Sequence, residues 1–101
     1  MTKPYCIGSD EWNGLSKLIE ELGELQQVCG KLIGVEGSAA HWSYNLNDKF
    51  IEEIGDECSA IDFFTYANFD EEDINKMKEQ SDKKYHLFKQ WDKGVRDANS
   101  R

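Results

Sequence analysis

"LIEELGEL", residues 18–25, places three glutamates among leucines that recur with helical spacing. An α-helix turns by about 100° per residue, so the three leucines share one face. On the same wheel Glu21 lies about 60° from the centre of that face and Glu24 about 120°, whereas Glu20 points to the opposite side. The stretch therefore predicts an amphipathic helix that carries two acids on the flank of its apolar stripe.

Helical spacing continues outward from this stretch and predicts two further helices. The predicted helices cover about residues 10–33, 46–68 and 71–96, separated by a loop over residues 35–45 that has no period. Ser9 or Asp10 is the expected N-cap of the first helix, and Asp70 that of the third. No stretch alternates like a strand, so the predicted fold class is all-α. We expect a bundle of three helices, or four if the first breaks at Gly23 or a short helix forms in the loop. The stripe of the second helix contains Phe50, Ile54, Ile61 and Phe64.

The length of the chain predicts one domain over residues 1–101 and a partner for it. A chain of 101 residues hides only about 60 to 65% of its unfolded surface on folding. Two such units packed together would complete a four-helix core. We therefore expect a homodimer or a homotetramer.

Charge and cysteine content restrict the partners and the compartment. The net charge is −8 at pH 7, which leaves no basic face for nucleic acid. Three cysteines without CxxC spacing indicate neither a disulfide framework nor a thiolate zinc site. The N-terminus lacks a signal-like apolar run, and no segment approaches the roughly 20 apolar residues of a membrane span. A cytoplasmic protein without a membrane partner is expected.

A second acidic pattern follows in "FIEEIGDECSA", residues 50–60. Measured from the stripe centre, Glu53 lies about 60° away and Asp56 about 120°, while Glu52 points outward. The two helices thus repeat one arrangement, and an antiparallel pairing of the acidic flanks would bring four carboxylates together. Glu57 lies within about 20° of the stripe centre, so we expect it to be buried with a partner for its charge.

A cluster of four carboxylates needs protons or a cation, because like charges at close range repel. Oxygen-only ligation favours Mg²⁺, with Mn²⁺ as a possible substitute, over zinc or copper. A ferritin-like di-iron site is disfavoured because no histidine follows a glutamate at the Glu-x-x-His spacing. The acidic "DEED" run lacks the glycine of an EF-hand loop. The alternative for each ExxE is an ordinary solvated helix face.

Several segments together resemble a known family. "LIEELGELQQVCGKLIG", "HW", "FIEEIGDECSAIDFF", "NFD" and "KKYHLFKQW" resemble, in order, the short, often phage-encoded MazG-like members of the all-α nucleoside triphosphate pyrophosphohydrolases. The match covers about residues 15–91, and its specificity comes from the paired acids and the spacing of Lys84, Phe88 and Trp91.

The resemblance implies a Mg²⁺-dependent enzyme that cleaves a nucleoside triphosphate between its α and β phosphates. The products would be a monophosphate and pyrophosphate, and the role would be nucleotide pool sanitation or dNTP control. By position, the catalytic and metal-binding residues would be Glu21, Glu24, Glu53 and Asp56.

Four further residues are candidates for substrate binding, each with a structural alternative. Lys84 would touch the triphosphate or pair with Glu57. Lys31 lies about two turns beyond Glu24 and would reach a phosphate or remain solvated. Trp42, in the loop, would stack on a base. Asn68 would touch nucleotide through its place in the "NFD" match or simply end the helix.

Two other functions remain open from the sequence. The first is a non-catalytic helical interaction module that retains the fold. The second is a metal-dependent hydrolase of another phosphorylated small molecule.

Overall fold

The computed structural model describes residues 3–34 and 46–100, which contain three α-helices and no strand. The all-α class is thereby confirmed for the described residues. The predicted loop 35–45, with Trp42, lies outside them. The chain divides into two compact units, Met1–Asn68 and Phe69–Arg101. The helices are α1 (Leu15–Gly34), α2 (Leu46–Asn68) and α3 (Glu71–Asn99).

The first helix begins later than the sequence predicted. α1 starts at Leu15, and neither Ser9 nor Asp10 caps it. The Ser9 hydroxyl accepts a hydrogen bond from the N–H two residues further on, at 3.0 Å, within a turn. Trp12 and Gly14 have φ angles of 46° and 86°, which a right-handed helix does not allow. The segment before α1 is therefore a series of turns, although its apolar spacing resembles that of a helix.

In the first unit, α1 packs against α2. Val28 is buried on α1 and Leu46 on α2, both at 5% exposure or less. The other buried positions of α2 are Glu53, Glu57 and Ala60, and together with Leu46 they recur at helical spacing on one face. The face of α2 that packs on α1 is therefore partly built of glutamates.

The predicted apolar stripe of α2 is only partly the buried face. Ile54 and Ile61 remain 46% and 43% exposed. Each follows directly after a buried residue, Glu53 or Ala60, and so lies about 100° round the helix from it. Leu22 of the predicted α1 stripe is also exposed. The sequence pattern identified an apolar face of α2, but two of its isoleucines are not buried within the described residues.

In the second unit, α3 begins as its sequence predicts. The side chain of Asp70 accepts a hydrogen bond from the Asp73 N–H at 2.8 Å, which confirms the N-cap. Phe88 and Trp91 are in ring contact at 5.6 Å between centroids, yet more than half of each surface stays exposed. Neither ring is therefore buried. None of the helices in the described ranges combines the length and the apolarity that crossing a bilayer requires.

Candidate metal centre

Three of the four predicted ligands meet between α1 and α2. Carboxylate oxygens of Glu21, Glu24 and Glu53 all lie within 4.8 Å of one another. Glu21 and Glu24 are three residues apart on α1, so they share a side of that helix, and Glu53 reaches them from α2. Glu53 is only 2% exposed. Because the three acids come from two packed helices, the helix pairing positions the cluster.

Two oxygens of this cluster lack a hydrogen-bond donor within the described ranges. They are Oε2 of Glu21 and Oε2 of Glu53, and both are buried. A buried carboxylate oxygen without a donor is costly, since it has lost its hydration without replacement. The donor set and its unsatisfied oxygens therefore fit a hard, oxygen-seeking cation.

Lys49 is a residue of this site that the sequence analysis missed. Its Nζ lies 2.7 Å from Oε1 of Glu53, and this bond is the main reason why the pKa of Lys49 is raised. The spacing of four residues on one helix could have revealed the pair. Lys49 offsets part of the negative charge, but it leaves the second oxygen of Glu53 unsatisfied.

The charges of the cluster act on one another. The pKa of Glu24 is raised from its usual value, chiefly by the nearby charge of Glu21, then by loss of hydration and by Glu53. Glu24 therefore holds a proton more readily than an isolated glutamate. A cation bound among these oxygens would reverse this effect, because it favours the ionised carboxylate.

Glu57 is buried as its position in the sequence predicted. It is 5% exposed, and neither carboxylate oxygen has a hydrogen-bond partner within residues 3–34 and 46–100. Burial alone raises its pKa. Lys84, the partner proposed from the sequence, belongs to the second unit, so the pairing stays a prediction.

Asp56, the fourth predicted ligand, does not belong to the group of three acids described above. It lines a cavity of about 340 Å³, and Glu21 lines the same cavity. Glu21 therefore borders both the carboxylate cluster and the cavity. The cavity lies between α2, α1 and the turns that precede α1, since Ser59, Lys17 and Ile7 also line it.

Asn68 joins the end of α2 to the turns before α1. Its Oδ1 accepts a hydrogen bond from the Asn13 N–H at 2.9 Å. Its Nδ2 donates to the carbonyl oxygens of Asn13 and Phe64, at 2.8 and 2.7 Å. Both amide hydrogens are thus engaged within the chain. The predicted contact between Asn68 and a nucleotide stays a prediction, beside this structural role.

The remaining predicted substrate residues are placed as follows. Lys31 lies in the last turn of α1 and is half-buried. Lys84 is an exposed residue of α3, in the second unit. Their contacts with phosphate, and that of Trp42 with a base, stay predictions.

No family model matches this chain, and neither does a curated protein nor a solved structure. The resemblance to the MazG-like family therefore rests on the quoted segments alone. The geometry of the acids is an independent observation beside it.

Proposed function

We propose that this chain is a Mg²⁺-dependent nucleoside triphosphate pyrophosphohydrolase, which cleaves a (d)NTP into the monophosphate and pyrophosphate. Its role would be nucleotide pool sanitation or dNTP control. The observation that carries the proposal is the convergence of carboxylate oxygens of Glu21, Glu24 and Glu53 within 4.8 Å. Two of these residues have a buried oxygen without a donor in the part of the chain that the structure describes.

The donor set favours magnesium over other metals. All three residues of the group offer carboxylate oxygens, which suit Mg²⁺ and, as a substitute, Mn²⁺. When bound, the metal supplies a Lewis acid for the phosphoryl oxygens and lowers the pKa of a bound water. A triphosphate would otherwise be repelled by a chain whose net charge is −8.

The acidic residues of the site would have different roles in metal binding and proton transfer. Glu21 and Glu53 hold the cation, and Asp56 extends the acidic surface into the adjoining cavity. Glu24 is the candidate to accept a proton from the attacking water, because it is the most exposed of the three acids and lies within 4.8 Å of the two that hold the cation. This division follows the burial of each acid.

The same proposal includes a homodimer, or a dimer of dimers, in the cytoplasm. Apolar side chains remain exposed on both helices of the first unit, which a second copy of the chain would cover. The three cysteines are free, as is usual in a reducing compartment. They include Ile19 and Leu22 on α1 and Ile51, Ile54 and Ile61 on α2.

The test combines metal binding with product analysis. Millimolar Mg²⁺ should raise the melting temperature, because the ion binds the folded state. The protein should convert at least one NTP or dNTP into monophosphate and pyrophosphate. Glu53→Gln should lose both the Mg²⁺ shift and turnover while its helical circular dichroism persists. Glu52→Gln is the matched control, because Glu52 is an exposed glutamate of the same helix.

The outcomes separate the candidates. Absence of a Mg²⁺ shift, together with silent calorimetry, would refute the metal site. A shift without turnover of any nucleotide would contradict the pyrophosphohydrolase while keeping the site. A fully active Glu53→Gln would show that the Glu53 carboxylate does not hold the metal that the reaction requires.

A further inference from the structure

The cavity beside the carboxylate cluster has the size and the lining of a small ligand site. Its volume of about 340 Å³ lies at the lower end of the range for such sites, about 300 to 1,000 Å³. The lining combines the carboxylates of Glu21 and Asp56 with apolar surface from Ile7, Ala60 and Phe63. A ligand that fits must therefore be compact and must carry both an apolar and a polar part.

Phe63, which lines this cavity, lies close to Gly14. A Cβ atom at Gly14 would lie 2.8 Å from Cδ1 of Phe63, which is closer than any real side chain allows. Gly14 also has a φ of 86°, so glycine is required there on two counts. The ring thus packs closely on Gly14, yet Phe63 remains 44% exposed. An aromatic ring with open surface is suited to stacking.

A polar group stands beside this ring on the same helix. Ser59 lines the cavity four residues before Phe63, so both lie on one face of α2. Its hydroxyl can donate and accept a hydrogen bond. Apolar surface, an aromatic ring, a hydroxyl and two carboxylates match the chemistry of a base attached to a sugar.

We propose that this cavity binds the nucleoside end of the substrate and that Phe63 is its aromatic contact. The inference rests on the proposed function, because the phosphates must lie at the cluster. Glu21 borders both the cluster and the cavity, so a molecule whose phosphates are held at the cluster can extend its next group into the cavity that Phe63 also lines. Affinity for the nucleoside and affinity for the phosphates then depend on different residues.

The experiment measures these two affinities separately. Non-hydrolysable α,β-methylene analogues of the common NTPs and dNTPs are titrated by calorimetry in Mg²⁺, and inorganic tripolyphosphate serves as the probe without a nucleoside. Phe63→Ala should lower the affinity for the tightest-binding analogue by about tenfold or more, since stacking of a base on an aromatic side chain contributes that much affinity. Its affinity for tripolyphosphate should equal that of the wild type. Tyr66→Ala is the matched control, because Tyr66 is an exposed aromatic of α2 that does not line the cavity.

The possible results of the titrations distinguish the nucleoside assignment from the proposed function. An unchanged affinity of Phe63→Ala for the analogue would overturn the nucleoside assignment. An equal loss for analogue and tripolyphosphate would also overturn it, because the defect would then lie at the phosphates. A wild-type protein that binds neither Mg²⁺ nor tripolyphosphate would refute the proposed function itself, and the nucleoside assignment with it. Phe63→Leu, which keeps apolar volume without the ring, should lose affinity for the analogue as well, and its melting temperature reports whether the fold is intact.

Discussion

At the scale of single residues, the notable feature is how much negative charge is buried. Glu53 and Glu57 are 2% and 5% exposed, one turn apart on α2. One carboxylate oxygen of Glu53 forms a salt bridge with Lys49, whereas Glu57 has no hydrogen-bond partner within the described ranges. An unpaired buried acid lowers stability, so its retention calls for a function or a partner.

The pH dependence of stability follows from the direction of the Glu57 shift. Its pKa is raised above the usual value of 4.5, so the folded protein binds this proton more tightly than the unfolded chain. The free energy of unfolding therefore falls as pH rises from the usual pKa through the raised one, and it stays lower above that window. The pKa of Glu24 is also raised, so its ionisation lowers the free energy of unfolding with rising pH in the same way.

We expect Glu57→Leu to stabilise the metal-free protein at pH 7. Leucine fills a similar volume without a carboxylate, and an unsatisfied buried polar group costs about 1–3 kcal/mol. Thermal unfolding at pH 7 and at pH 4 measures the effect, which should shrink at the lower pH. Glu52→Leu, at an exposed site, is the control. A less stable Glu57→Leu protein would instead indicate that Glu57 has a charged partner, such as the predicted Lys84.

At the scale of elements, the junction of α2 with the turns before α1 positions the candidate site. Two hydrogen bonds of the Asn68 amide to Asn13 hold these turns against the end of α2, and a third bond to Phe64 orients the amide. The same turns supply Ile7 and Gly14 to the cavity. Asn68 therefore acts on the cavity indirectly, whether or not it touches a nucleotide.

We expect Asn68→Ala to destabilise the protein by about 1–3 kcal/mol, because partly buried backbone groups of Asn13 and Phe64 lose their hydrogen bonds. For a domain of this size each kcal/mol lowers the melting temperature by roughly 4–8 °C. Thermal unfolding measures the loss. Asn75→Ala, at an exposed position of α3, should have little effect. An equally stable Asn68→Ala protein would show that the turns are held by other contacts.

At the scale of the whole molecule, the question is what covers the exposed isoleucines of α2. The chain has too little core to bury all of its apolar surface, as its length implies. Ile54 and Ile61 lie on one exposed face of α2. A second copy of the chain that packs with the same face would bury both side chains.

We expect the wild-type protein to sediment as a dimer or tetramer and the double variant Ile54→Lys, Ile61→Lys to sediment as a monomer. Two lysines in an interface that excludes water would bury ammonium groups without hydration or ion-pair partners, which opposes association. Sedimentation velocity with circular dichroism distinguishes dissociation from unfolding. Asp62→Lys, which alters charge at an exposed neighbouring position, is the control. A wild-type monomer, or an oligomer unchanged by the double substitution, would contradict the proposed interface.

The sequence by itself determined the local properties of this protein. The all-α class, the bounds of α2, the Asp70 cap and the spacing of the acids on each helix all depend on residues within a few turns of one another. Periodicity also predicted that Glu57 is buried, because a position on a helix wheel is a local quantity.

Only the tertiary structure decided which faces meet. It placed Glu53 rather than Ile54 toward α1, and it brought Glu21, Glu24 and Glu53 together while Asp56 lines the adjoining cavity. It also gave the residues before Leu15 the conformation of turns, although their apolar spacing is that of a helix. Asn68, at the end of α2, forms hydrogen bonds with Asn13 in these turns. The physical reason is that a helix with apolar residues on two faces can bury either one. The choice depends on packing and hydrogen bonds with residues far along the chain, which no local pattern contains.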